Sequence, residues 1–162
     1  MKTFGIGITL TLLAGAIVAQ GPAPQKPKTY TSAAEITAMM AKAKAERKPD
    51  QANLIQNILR LAPYSASLEY RGAVGPASVH EKEAELFYVI DGSGTLVTGG
   101  KLVNEKRTNA DNLSGTAIEG GTPQPMAKGD FAIVPENTPH WFSPVNGTLV
   151  MMSLHVPRTS AR

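Results

Sequence analysis

The stretch PASVHEKEAELFYVIDGSG, residues 76–94, gives the clearest indication of how this chain folds and works. It places His80 and three glutamates directly before an apolar run that ends in glycine. Because alternate side chains of a strand share a face, Glu85, Phe87 and Val89 are expected on one side of a strand. A carboxylate that opens a buried strand must be paired or bound to a metal ion. The stretch therefore predicts a polar centre where the strand begins.

Short segments of the same kind recur along the chain, and their spacing favours an all-β sandwich or barrel. The chain has 162 residues, with 15 glycines and 12 prolines that separate the apolar runs. NLIQNILRLA, from Asn53, fits a short helix as well as a strand. DGSG and VNGT, which begin at Asp91 and Val145, predict turns that join neighbouring strands. The clearest strand candidates are ASLEYRG (66–72), ELFYVIDG (85–92), GTLVTGG (94–100), DFAIVPE (130–136) and GTLVMMSLHVP (147–157).

Residues 99–128 form a long polar, glycine-rich connection between these strands. Weak strand signals occur only at 101–103 and 116–118. A connection of this length is uncommon in a compact domain unless it has a function or structure of its own. The segment is therefore expected to be a functional flap or an extended hairpin.

The first 19 residues, MKTFGIGITLTLLAGAIVA, have the layout of a secretory signal peptide. A lysine precedes an apolar run, and small residues follow, with cleavage expected after Ala19. A membrane anchor is the alternative, but the apolar run is shorter than the about 20 residues that a spanning helix needs. The mature protein is therefore expected to be secreted or periplasmic, with no membrane association after cleavage.

Three further parts of the chain are expected after the signal peptide. Residues 20–31 are rich in proline and polar residues and predict a flexible linker. Residues 32–48 predict a helix, because Ser32 and Glu35 form a capping-box pattern at its start. Residues 53–158 contain the strand segments and predict a single β-domain.

The charge and the cysteine count exclude several classes of function. The formal net charge is only +3 and the basic residues are scattered, so a nucleic-acid partner is not expected. The chain has no cysteine, which excludes disulfides and thiolate chemistry. Any metal ion must therefore be held by nitrogen and oxygen atoms.

Residues 72–92 form a motif that resembles the first motif of the cupin superfamily, whose members are small double-stranded β-helix barrels of the jelly-roll kind. The spacing of Gly72, Ser78, His80, Glu85 and Gly92 matches the first cupin motif throughout. The one departure is Ser78, which stands where the family has the first of two histidines.

A second cupin motif follows near the end of the chain. The spacing of Gly129, Pro135, Asn137, His140 and Pro144 matches that motif, with two substitutions. Asn137 replaces a turn glycine, and asparagine tolerates a left-handed backbone better than most residues. Pro144 replaces the final asparagine of the motif.

The resemblance implies a cupin jelly-roll barrel with an N-terminal helix, and a divalent transition metal held by His80, Glu85 and His140. Two histidines and one carboxylate form a competent ligand set that leaves positions open for substrate. Iron, manganese, zinc, nickel and copper all fit such ligands. Neutral serine is a weak ligand, so the metal affinity is expected to be lower than in relatives with four ligands.

His155 and Glu83 are the candidates for proton transfer at the centre. His155 lies on the last predicted strand, where it can also add a ligand or simply end the strand. Glu83 precedes the buried strand and can equally be a solvated loop charge. Arg71 and Arg107 are candidates for binding an anionic substrate, although surface arginines are common.

The resemblance implies a secreted, metal-dependent enzyme of the dioxygenase, lyase or isomerase kind that acts on a small organic molecule. The fold does not choose among these reactions. The two-histidine, one-carboxylate set favours the dioxygenase-like group. Two alternatives stay open: a non-catalytic module that binds a small ligand, and a structural domain whose barrel has lost its site. The resemblance also implies that a homodimer can form through sheet edges.

Overall fold

The computed structural model describes residues 26–158, which form one helix and eleven strands. The predicted signal peptide lies outside the described residues, as does the linker up to residue 25. Within residues 26–158, no helix has the length and apolar character needed to cross a membrane. The elements are α1 (Ala33–Glu46), β1 (Asn53–Leu61), β2 (Tyr64–Arg71), β3 (Ala77–His80), β4 (Glu83–Thr98), β5 (Lys101–Val103), β6 (Lys106–Arg107), β7 (Asn112–Gly115), β8 (Ala117–Glu119), β9 (Thr122–Ala127), β10 (Phe131–Val134) and β11 (His140–Pro157).

Helix α1 begins at the predicted capping box. The Ser32 hydroxyl accepts a hydrogen bond from the Glu35 amide at 3.2 Å, and the Glu35 carboxylate accepts one from the Ser32 amide at 2.8 Å. This reciprocal pair satisfies donors that the first turn would otherwise leave free. The side of the helix that carries Ala43 packs on β1 and β2, so the helix covers the outside of the sheet.

Strands β4 and β11 are the two long strands around which the sheet is organised. β11 pairs antiparallel with β2, β3 and β4, and β4 also pairs with β9 and β10. The sheet continues from β2 to β1 and from β3 through β7 to β6. The segment from Asn53 that fitted either a helix or a strand is β1.

The prediction that DGSG and VNGT are turns between separate strands was wrong. Each lies inside one long strand, β4 or β11, and bends that strand without ending it. Gly92 and Gly147 adopt φ values of 78° and 75°, and the pairing of the two strands shifts register around them. Positive φ at glycine and an extra residue in the ladder are the usual means by which a strand bends around a barrel.

Two hydrophobic clusters lie on opposite faces of this sheet. The inner cluster is built around Phe87, Phe142 and Met151, whereas the outer cluster joins α1 to β1 and β2. Adjacent residues of β11 contribute to different clusters, since Val150 is in the outer one and Met151 in the inner one. Because alternate residues of a strand face opposite sides, β11 contributes to both clusters.

The long polar segment between β4 and β10 is an extended set of short strands. β5 pairs with β8, and β9 pairs with the second half of β4. β7 pairs with β3, which places Asn112 opposite His80 and Ser114 opposite Ser78. Through β7, the segment thus lies beside Ser78 and His80 of the first motif.

Candidate metal centre

Glu85 lies at the centre of the candidate site. It faces the same inner side of β4 as Phe87 and Val89, as the alternation predicted, and it is only 4% exposed. A buried carboxylate needs compensation by a cation or by hydrogen bonds. It borders a cavity of about 290 Å³ that opens to the surface on one side.

Three histidines surround the Glu85 carboxylate. The Nε2 atoms of His80 and His140 each lie 3.2 Å from Oε2 of Glu85. The Nε2 atom of His155 lies 3.3 Å from the other oxygen, Oε1. The residues predicted as ligands from the two motifs, and His155 from the last strand, are therefore brought together inside the sheet.

These distances fit a shared metal ion. Ligand atoms about 2.1 Å from one ion are about 3.0–3.4 Å apart when they occupy neighbouring positions of an octahedron or tetrahedron. The contacts of His80 and His140 with Oε2 fall in that range. The ligand atoms that all lie within 4.8 Å of one another are those of His80, Glu85 and His155; His140 is outside this group and is linked to it through Oε2 of Glu85. The residues present can thus hold a divalent metal ion.

The ring of His80 is oriented by a chain of two asparagines that the sequence analysis missed. Nδ1 of His80 lies 2.6 Å from Oδ1 of Asn112, and Nδ2 of Asn112 donates to Oδ1 of Asn109 at 3.0 Å. Because the Asn112 amide nitrogen is engaged, its oxygen must accept from His80. Nδ1 therefore carries the proton, and the Nε2 lone pair of the neutral ring faces Glu85.

His140 is oriented in the same way by the backbone. Its Nδ1 lies 3.2 Å from the Thr138 carbonyl oxygen, which can only accept a hydrogen bond. The Nε2 lone pair of the neutral ring therefore also faces Oε2 of Glu85. Two lone pairs and a carboxylate oxygen repel one another unless a positive charge lies between them. A metal ion between these atoms would supply the positive charge, and a proton would supply it in part.

The directions of the pKa shifts in the site favour positive charge beside Glu85. Burial opposes charge on His80, but hydrogen bonding to Glu85 and Asn112 outweighs it and raises the pKa of His80. Burial alone would raise the pKa of Glu85, but the contacts with His140 and His80 hold that pKa well below its usual range. Glu85 is therefore ionised at neutral pH, as a metal ligand must be.

Glu83 and His155, the predicted proton-transfer residues, are neighbours at the edge of the site. Oε2 of Glu83 lies 3.0 Å from Nδ1 of His155, although the two atoms are not aligned for a hydrogen bond. Nε2 of the same ring faces Glu85. His155 is thus placed between an outer carboxylate and the centre.

The structure separates the remaining candidates by position. Ser78 and Arg71 line the cavity together with the histidines. Arg107 instead forms an exposed ion pair with Glu81, with Nη1 2.7 Å from Oε2. Glu81 is therefore engaged at the surface, and Arg107 does not reach the cavity.

Comparison with solved structures shows the same fold at low sequence identity. The lyase DddQ of Ruegeria pomeroyi DSS-3, described as a DMSP lyase, aligns with a TM-score of 0.53 and 14% identity, over 86% of this chain and 71% of that chain. The Fe(II) form of HppE aligns with a TM-score of 0.52 and 13% identity, over 68% of this chain and 54% of that one. The cupin domain of Cnp3 from Schizosaccharomyces pombe aligns with a TM-score of 0.51 and 12% identity, over 71% and 72%.

Comparison of the sequence itself gives the family. No curated protein matches the chain. The family model described as cupin matches residues 45–157, which include both motifs and all four residues of the centre. The chain therefore belongs to the cupin family.

Proposed function

We propose that this cupin is a metal-dependent enzyme that acts on a small organic molecule, with the ion held by His80, Glu85 and His140. The observation that carries the proposal is the convergence of two oriented Nε2 lone pairs on one ionised carboxylate oxygen. When bound, the ion would polarise a substrate oxygen or bind dioxygen beside the substrate. The two-histidine, one-carboxylate set favours iron and a dioxygenase-like reaction over a lyase or isomerase reaction.

The protein side chains supply the rest of the site. His155 presents Nε2 to the centre at 3.3 Å from Oε1 of Glu85, and Oε2 of Glu83 lies 3.0 Å from its Nδ1 atom. This arrangement suits a group that takes a proton from substrate and returns it. The N-terminal sequence supports an extracytoplasmic location, where the substrate would be met.

Elemental analysis of the purified wild-type protein tests the proposal, followed by a substrate screen with the identified ion present. One equivalent of a transition metal and turnover of a small molecule are expected. A protein that folds without an ion and turns nothing over would contradict it. A non-catalytic module is the second candidate, because Ser78 removes one family ligand. It predicts ligand binding without turnover.

Changing His155 to glutamine separates its two possible roles. We expect the ion to be retained and turnover to fall by about 100- to 10,000-fold, because proton transfer is lost. Metal content and turnover are measured on the same preparation. Loss of the ion from the variant would make His155 a ligand and remove it from proton transfer.

Metal affinity is expected to fall as the pH is lowered. A metal ion must displace the proton that His80 holds, and the pKa of His80 is raised above its ordinary 6.5. Below that pKa, the affinity should drop by about tenfold per pH unit for each proton displaced. Competition titrations against a chelator at several pH values measure the slope. A flat dependence through this range would show that His80 does not bind the ion.

A further inference from the structure

The cavity has a second polar wall, which the contacts of the metal centre do not use. Asn53 of β1 and Glu69 and Arg71 of β2 line the same cavity as the histidines. Glu69 is only 4% exposed, so this wall carries a buried charge of its own. The cavity volume of about 290 Å³ is at the small end for ligand sites, which suits a small molecule held between the two walls.

Arg71 is anchored along one edge of its guanidinium group. Its Nε and Nη2 atoms donate to Oε2 of Glu69 at 3.0 and 2.6 Å. Asn53 donates from Nδ2 to the same oxygen at 2.9 Å. The Nη1 atom of Arg71 takes part in none of these bonds. A guanidinium has five N–H donors, so the part of Arg71 that carries Nη1 keeps donors for a ligand.

The plane of the guanidinium is also fixed. The Arg71 Cζ atom lies 4.6 Å from the centre of the Phe142 ring, which is 1% exposed. Arginine stacked on an aromatic face and held along one edge has lost most of its rotational freedom before a ligand arrives. Such pre-organisation lowers the entropic cost of binding a planar anion.

Asn53 helps to fix this wall. Its amide nitrogen donates to Glu69, which fixes the orientation of the amide. Its Oδ1 atom is buried and has no hydrogen-bond partner within residues 26–158. Buried polar atoms of native proteins are almost always paired. Because this oxygen is closed off from the cavity, Asn53 contributes by anchoring the Glu69 carboxylate that holds Arg71.

The charges of the cavity favour a monoanion. The charges of Glu69 and Arg71 cancel, whereas a divalent ion exceeds the charge of Glu85 by one. We propose that the substrate is a small carboxylate, held by Arg71 opposite the ion. This inference rests on the proposed function and names its substrate class.

Calorimetric titration of the metal-loaded protein with lactate and with lactamide tests the inference. Both probes carry the hydroxyl donor, but only lactate carries the carboxylate. Lactate is expected to bind about 10- to 100-fold more tightly, the range that one charge-assisted pair of hydrogen bonds gives. Equal affinities in the wild-type protein would overturn the inference without any variant.

A double variant separates the guanidinium from the metal ion as the source of this preference. Glu69→Gln with Arg71→Gln removes both charges together, so the net charge of the cavity is unchanged. The preference for lactate should fall to within about threefold, because the directional donors are lost. Arg107→Gln, which removes a surface arginine paired with Glu81, is the control and should keep the full preference.

The outcomes distinguish this inference from the function on which it rests. If the double variant binds one equivalent of metal and keeps the full preference for lactate, the role of Arg71 is overturned and the proposed function still stands. If the double variant does not fold, Arg71→Lys keeps the charge but loses the planar fork, and it should lose most of the preference. A wild-type protein that holds no ion overturns the proposed function, and elemental analysis detects that failure before any titration.

Discussion

Glu85→Gln is expected to abolish equimolar metal binding. The carboxylate of Glu85 contacts both proposed histidine ligands, His80 and His140, and supplies the only negative charge of the proposed ligand set. Changes to residues that merely orient a ligand lower metal affinity by about 10- to 100-fold, and loss of the ligand itself should exceed that range. The measurement is the metal content after dialysis, together with a competition titration.

Glu69→Gln is the matched control for this variant. Glu69 is as buried as Glu85 and lines the same cavity, but its partners are Arg71 and Asn53. The control should lose stability, because the guanidinium loses its partner, and should keep the ion. Retention of one equivalent of metal by Glu85→Gln would contradict the assignment of Glu85 as a ligand.

Gly92→Ala is expected to destabilise the fold by more than about 4 kcal/mol, or to prevent folding. Gly92 has a φ of +78°, and a Cβ atom there would overlap the carbonyl oxygen of Thr148 and lie 2.8 Å from its carbonyl carbon. Both obstacles are backbone atoms of the paired strand β11, which cannot move aside without breaking the pairing. The midpoint of urea unfolding measures the loss.

Gly147→Ala isolates the steric part of this effect. Gly147 has a nearly equal φ of +75°, but an added Cβ would meet nothing within 4 Å. Only the conformational cost of a left-handed residue remains, about 1–2 kcal/mol. Equal losses in the two variants would show that close approach of the strands at Gly92 is unimportant.

The sequence predicted which residues lie together better than it predicted the course of the strands. The ligand assignment came from the resemblance to the two cupin motifs. Alternation along β4 predicted only that Glu85 shares the inner face with Phe87 and Val89. DGSG was misjudged because a positive-φ glycine serves a turn and a bend equally well. Only the pairing of Gly92 with Leu149 shows that the strand continues.

Residues that act through distant pairing were the hardest to predict. Asn112 lies in a polar segment with no periodic signal, and it reaches His80 only because β7 pairs with β3. Arg71 and Arg107 were equal candidates for binding an anion in the sequence. Their separation into a cavity residue and a surface residue follows from the pairing of β2 with β11, which no local pattern encodes.

Strand β11 carries both His140 and His155, one near each end, and Glu85 reaches them from β4. His80 and Glu85 are close in sequence, but His140 and His155 join them only through the pairing of β11 with β3 and β4. The complete proposed ligand set therefore does not lie within one local loop, unlike that of a zinc finger. We therefore expect the proposed ion to be captured only after the two long strands have paired.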